Sequence, residues 1–236
     1  MPNPYFRFRQ FSVYHDKCAM KVGTDGVLIG AWANGGKRIL DVGTGSGLIA
    51  LMMAQRFPQA KIDAVDIDSS ACQQAMENVA NSPFAHQVEV RCMAVQNLAD
   101  NEEFQGIYDA VVCNPPFFEN ALKAPVETRS MARHNDTLPF KQLFSSVAKL
   151  MDTHGAFSLI IPSEYKGRIM EEAALAGFFN IRECAVKTTP KKSPRRFLLE
   201  FSLVSTHELF KEEQLLEISH GHRSPWYEKL TQDFYL

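Results

Sequence analysis

Four consecutive residues, Asn114-Pro115-Pro116-Phe117, have the strongest chemical implication in the chain. They follow an apolar run over 107–113 that reads as a buried strand. Two prolines freeze the backbone and remove two N–H donors. The residue before a proline is held extended. The Asn114 amide and the Pro115 carbonyl therefore stand at a strand end as two placed acceptors. An exocyclic ring amine has two N–H donors to give them. The lone pair of such an amine is delocalised into its ring and attacks poorly. Acceptors that favour a pyramidal nitrogen stabilise the attacking geometry over the planar ground state, which is catalysis by differential binding. The proton can leave after group transfer, so no strong general base is required. Phe117 offers a stacking face for a flat base or amide, typically worth about 1–3 kcal/mol. Read alone, the same residues are also a plain strand-ending Pro-Pro turn.

A second constellation names the ligand class. Asp41-Val42-Gly43-Thr44-Gly45-Ser46-Gly47 lies between two apolar runs, as a strand, a tight turn and a helix would. Alternate glycines let the chain turn sharply and let a ligand approach bare backbone. The helix N-terminus then points free N–H groups at that ligand. The dinucleotide fingerprint G-x-G-x-x-G fails, because its third glycine would fall at Leu48. The D-x-G-x-G-x-G spacing resembles motif I of the class I S-adenosylmethionine methyltransferases. Asp66 ends the next apolar run, about 20 residues further on, where an acid accepts ribose hydroxyls. Asp68 is placed to cap a helix over 69–80.

The elements that must position these groups follow from periodicity. Strands are expected near 38–42, 61–66, 87–92, 107–113, 155–161, 178–187 and 196–204, and helices near 46–56, 69–80, 138–151 and 163–176. Alternation of this kind implies an α/β fold, a mostly parallel seven-stranded sheet with helices on both faces. No helix separates the last two strands, so an antiparallel pair at one sheet edge is expected. Ligands in such sheets sit at the carboxyl ends of the strands, where all three constellations fall. Residues 5–15 alternate as a small hairpin, with Arg7 and Arg9 on one face. Thr24 or Asp25 is expected to cap a short helix over 27–33, ended by Asn34-Gly35-Gly36. One domain is expected: a 1–36 extension, a 37–205 core and a helical 206–236 extension.

Composition excludes little and suggests a compartment. The 236 residues are 45% hydrophobic and 22% charged, with a net charge of −2. A nucleic-acid partner would have to be met by local patches. No apolar run approaches the roughly 20 residues of a membrane span, and no signal peptide is expected. Cys18, Cys72, Cys92, Cys113 and Cys184 are scattered, as reduced thiols of a cytoplasmic protein would be.

Asn-Pro-Pro-[Phe/Tyr] after the fourth core strand resembles motif IV of the amino-methyltransferases, which act on adenine N6, guanine N2 or glutamine nitrogen. The chain more specifically resembles the bacterial tRNA1(Val) adenine-37 N6-methyltransferases, over nearly its full length. The matching residues are Lys21-Val22-Gly23-Thr24-Asp25-Gly26-Val27-Leu28, Asp41–Gly47, Ala64-Val65-Asp66-Ile67-Asp68, Asn114–Phe117, Ala132-Arg133-His134 and Pro190–Arg196. The resemblance implies a Rossmann-like class I fold, S-adenosylmethionine as cofactor, a tRNA substrate, no metal, and methyl transfer to adenine N6. It implies a cofactor site of Lys21, Thr24, Asp41, Gly43, Thr44, Gly45, Gly47, Asp66, Ile67, Ala94 and Val95. Many class I enzymes hold the cofactor adenine with an acid at the position of Ala94. Here either the Ala94 and Val95 backbone or Gln96 must serve. Guanine N2 of ribosomal RNA and protein glutamine are the rival acceptors; the non-enzymatic alternative is an RNA-binding module with a relic pocket. A monomer is expected.

Three further stretches have two readings each. Arg129, Arg133 and His134 lie in a long loop that either meets a phosphate or gates the pocket, or is merely solvated. Lys187, Lys191, Lys192, Arg195 and Arg196 form a run without acids, which is either a solvated loop or, the favoured reading, a set of phosphate contacts alongside Arg7 and Arg9. His220-Gly221-His222 lacks a third ligand at useful spacing and reads as a surface loop before a helix capped by Ser224.

Overall fold

The computed structural model describes residues 3–18, 20–116, 138–205 and 208–236. Strands β1 (Tyr5–Arg7) and β2 (Ser12–Tyr14) form the expected antiparallel hairpin. Helix α1 (Thr24–Trp32) follows. The alternating core comprises β3 (Arg38–Val42), α2 (Leu48–Arg56), β4 (Lys61–Asp66), α3 (Ser69–Ala80), β5 (Val88–Cys92), α4 (Val95–Ala99) and β6 (Tyr108–Cys113). Then come α5 (Phe140–Leu150), β7 (Met151–Pro162), α6 (Lys166–Leu175), β8 (Phe179–Lys187) and β9 (Arg196–Ser202). The chain closes with β10 (Phe210–Leu215), the hairpin β11 (Glu217–Ser219) and β12 (His222–Arg223), and α7 (Pro225–Thr231).

The central sheet has eight strands, ordered β10-β8-β9-β7-β6-β3-β4-β5, one more than expected. The added strand, β10, pairs parallel with β8 and moves the antiparallel pair off the edge. Only β9 runs against the others, between β7 and β8. Strand β10 reads Phe-Lys-Glu-Glu-Gln-Leu. An edge strand faces water, so it carries charge where a central strand carries Val and Ile; that hid it. The segment after 205 is consequently mostly strand and hairpin, with one short helix.

Side-chain alternation splits the core into two layers. Ile39, Ile62, Ala110 and Val112 face one side with α1 and α2, while Leu40, Val65, Val111 and Cys113 face α4, α5 and α6. Both faces are covered, so these strands are apolar throughout. One buried acid crosses this pattern. Asp63 accepts from Arg38 Nη2 at 3.0 Å, Arg91 Nε at 3.1 Å and the Tyr108 hydroxyl at 2.9 Å. It thereby ties β3, β4, β5 and β6 together. A one-residue slip of any of its neighbours would take a partner from a buried carboxylate, which is costly.

Helix α1 lies parallel to α2 at close range. A Cβ on Gly26 would meet Leu48 Cδ2 at 2.9 Å, and one on Gly30 would meet Met52 Sδ at 2.8 Å. This small-residue seam carries the start of α1 to the glycine turn. Its N-cap is Gly23, with no side-chain cap, so Thr24 and Asp25 lie inside the first turn instead of capping it.

Candidate active site

The strand registers align the three constellations. Cys113 pairs with Val42, Val42 with Val65, and Asp66 with Cys92. Asn114, Gly43, Asp66 and Cys92 therefore stand in a row at the ends of β6, β3, β4 and β5, at steps of about 4.8 Å.

The glycine turn is held from inside. Gly43, Gly45 and Gly47 have φ of 71°, 55° and 82°, a region that favours glycine. A Cβ on Gly43 or Gly45 would meet nothing within 4 Å, so the turn presents bare backbone to open space. Asp41 is fully buried and does not face that space. Its Oδ2 accepts from Thr44 Oγ1 at 2.6 Å and from the Ala50 amide at 3.1 Å. Both Asp41 and the Thr44 hydroxyl thus serve the turn. Asp41 Oδ1 is buried without a hydrogen bond among the described residues. Burial pushes the Asp41 carboxyl up to about 7, against the opposing bonds from Thr44 and Ala50.

Asp66 also binds backbone: Oδ2 accepts from Gly45 N at 2.8 Å and Oδ1 from Asp68 N at 3.0 Å. Each carboxylate oxygen has a further lone pair to offer. Asp68 caps α3 as expected, accepting from the Ser70 and Ala71 amides. Ile67 is 64% exposed beside Asp66, an apolar face at the rim. Ala94 is the N-cap of α4 and Val95 its first residue. Gln96 is engaged elsewhere, donating to Gln142 Oε1 on α5 at 2.8 Å. Lys21 and Thr24 are exposed at the approach to α1, on the glycine-turn side.

Asn114 is half-buried, Pro115 buried and Pro116 exposed. Among the described residues, neither the Asn114 amide nor the Pro115 carbonyl has a hydrogen-bond partner. The neighbouring Cys113 thiol is pushed well up, first by burial and then by Asp41 and Asp66. It stays neutral and offers no competing nucleophile. Phe117, Arg129, Arg133 and His134 lie outside the described residues.

The structure separates the basic residues into two groups. The β8–β9 loop emerges at the ligand end of the sheet, because Arg196 pairs with Pro162 at the end of β7. Lys191, Lys192 and Arg195 are exposed on it, with no ion pair among the described residues. Lys187 is instead paired with Glu213 at 2.6 Å, and Arg196 Nε with Asp25 Oδ2 at 2.7 Å. Arg9 is not at the site. Its amide donates to the Phe234 carbonyl at 2.9 Å and its Nε to the Tyr235 carbonyl. It lines a cleft with Gln55 and Phe57 at the far end of α2. Arg7 is exposed on the same hairpin.

Two positioning roles escaped the sequence reading. Asn78 Nδ2 donates to the Ser46 and Tyr14 carbonyls, at 2.8 Å each, so one amide joins the glycine turn to the N-terminal hairpin. Its signal was a poor helix former on the buried face of α3. Asp25 was expected only as a helix cap; it instead holds Arg196.

A family model described as "Methyltransferase small domain" matches residues 20–172. A curated tRNA1(Val) (adenine(37)-N6)-methyltransferase from Bacteroides thetaiotaomicron is 44% identical, covering 100% of this chain and 99% of that one. A relative of the same name from Pseudoalteromonas translucida is 40% identical over 98% of each. A crystal structure of a predicted O-methyltransferase from Agrobacterium tumefaciens superposes with a TM-score of 0.69. It covers 89% of this chain and 96% of that one, at 16% identity. The fold is the Rossmann-like α/β fold of class I methyltransferases, and the chain belongs to the tRNA1(Val) (adenine(37)-N6)-methyltransferase family.

Proposed function

We propose that the chain methylates the exocyclic N6 of adenine 37 in tRNA1(Val), using S-adenosylmethionine. The observation that carries this reading is the Asn114 amide, unpartnered at a strand end one register step from the glycine turn. The cofactor supplies an electrophilic methyl group on a sulfonium. The residues present fit it: open space over Gly43 and Gly45, and spare lone pairs on Asp66. Gly43, Gly45 and Gly47 would give it bare backbone, Asp66 would take its ribose hydroxyls, and Ile67 would cover its base. Ala94 and Val95 would offer backbone to the adenine, since Gln96 is occupied by Gln142.

Asn114 Oδ1 and the Pro115 carbonyl would accept the two N6 hydrogens and hold the nitrogen pyramidal, its lone pair turned to the methyl group. The surplus proton leaves after transfer, so no titrating base is needed. An adenine in a single-stranded loop can be splayed out to reach such a pocket. Lys191, Lys192 and Arg195 would meet the RNA phosphates, with Arg7 further away. Among the described residues no helix is long and apolar enough to cross a membrane, and no group of three or more His, Cys, Asp or Glu could hold a metal. A monomer working in the cytoplasm completes the proposal.

Labelled S-adenosylmethionine, offered with unmodified total tRNA, ribosomal RNA, DNA and protein in parallel, tests it. Label in N6-methyladenosine of a single tRNA species supports the reading. Label in N2-methylguanosine or methylglutamine, with tRNA adenine silent, overturns it.

A further inference from the structure

Hairpin β11–β12 stands at the ligand end of the sheet, and among the described residues no hydrogen bond joins it to the glycine turn or to Asn114. Strand β10 places Leu215 opposite Lys187, so the chain leaves the sheet beside the start of the basic loop. The Leu216 and Glu217 amides donate to the Lys187 and Thr188 carbonyls at 2.9 Å each. Ser224 closes the base, its amide on the Leu216 carbonyl at 2.8 Å and its hydroxyl on the Leu215 carbonyl. Hairpin and basic loop are thus bonded into one corner.

The tip carries side chains that the core does not use. Ile218 is 54% exposed, and His220, His222 and Arg223 are exposed with it. His222 Nδ1 lies 3.2 Å from both Ser219 Oγ and the His220 carbonyl, which steadies its ring. Arg223 sits over the Tyr235 ring, 4.5 Å from its centroid. The same corner carries the exposed Lys191, Lys192 and Arg195, which have no ion pair among the described residues, while Glu213 is paired with Lys187. Cations suit phosphates, and flat imidazoles with an exposed apolar side chain suit bases and riboses. A second copy of this chain would bring like charge against like.

We infer that hairpin β11–β12 grips the RNA outside the target nucleotide: the loop takes phosphates, and Ile218, His220 and His222 pack on adjoining nucleotides. The inference rests on the tRNA reading above. Its test compares the full-length wild type with the triple variant Ile218→Ser, His220→Ala, His222→Ala. The Kd and KM for tRNA should rise about ten-fold, as loss of a stacked base would give, with kcat and S-adenosylmethionine affinity unchanged. Ile218→Lys should tighten tRNA binding at low salt and steepen its salt dependence by about one phosphate contact, a gain that misfolding would not produce. Unaltered tRNA affinity in both variants sinks the inference and leaves tRNA methylation by the wild type standing. A changed oligomeric state with unchanged RNA affinity also overturns it, in favour of a protein interface. A wild type that methylates no tRNA removes the functional reading, and the inference with it.

Discussion

The two flanks of the site are built differently. On the β3–β4–β5 flank, polar groups are engaged within the turn and its neighbours: Asp41 holds the Thr44 hydroxyl and the Ala50 amide, Asp66 the Gly45 and Asp68 amides, and Asn78 the Ser46 carbonyl. On the β6 flank and the β8–β9 loop, the side chains of Asn114, Lys191, Lys192 and Arg195 have no partner among the described residues. The first flank is assembled before any ligand arrives. The second keeps its hydrogen-bonding capacity unspent. That division suits a reaction in which one ligand is bound and the other must be activated: preorganised backbone binds, and free acceptors act on charge that develops only in the transition state.

The sharpest break is Asn114→Ala. Turnover should fall about 10²–10³-fold, as for loss of one preorganised group of the oxyanion-hole kind, with S-adenosylmethionine affinity nearly intact by calorimetry. Wild-type turnover in this variant would end the claim that the open flank is catalytic. Next is Asp66→Ala. Losing bonds to a charged acceptor costs roughly 1.5–3 kcal/mol, so cofactor affinity should weaken about 10–100-fold. Equal affinities would make Asp66 a purely structural support for Gly45.

A smaller contrast separates free from paired cations. Reversing charge with Lys191→Glu and Lys192→Glu should weaken tRNA binding broadly and flatten its salt dependence by about two phosphate contacts. Lys187→Gln, already neutralised by Glu213, should move that slope much less. Equal slopes in a filter-binding series would erase the distinction.

The smallest effect concerns Asp41. Its carboxyl is raised from 3.8 to about 7 in the folded chain, so the native state keeps a proton that the unfolded chain releases. The stability from this group is full below about pH 4 and is lost as pH rises through about 7. Asp41→Asn cannot titrate. Between about pH 4 and pH 8, the wild-type Tm should therefore fall by a few degrees relative to the variant's. Parallel melting curves across that window would refute the assignment.

Much of the closed flank was legible in sequence, because strained turns demand glycine and helix starts demand a cap. Asp41 was legible as important and misread in role: a motif shows that an acid belongs at a strand end, not whether it faces ligand or backbone. Local spacing carries no information about long-range partners. Hence Arg196 read as an RNA contact until Asp25, distant in sequence, took its guanidinium, and Arg9 until the C-terminal carbonyls did. The edge strand β10 was missed for the opposite reason, since water on one side removes the apolar signal by which strands are recognised.

The reversed strand β9 has a consequence for how substrate range can diversify. Each parallel strand from β3 to β7 leaves the ligand end and is next entered from the opposite end, so its connection must cross the sheet and pack on a face. The β8–β9 connection both departs from and returns to the ligand end. Nothing in the sheet constrains its length or composition. Exchanging residues 188–195 for a segment from another nucleic-acid enzyme should retarget the protein at little thermodynamic penalty, because loop closure grows only slowly with length. This corner is an interchangeable adaptor attached to the catalytic sheet.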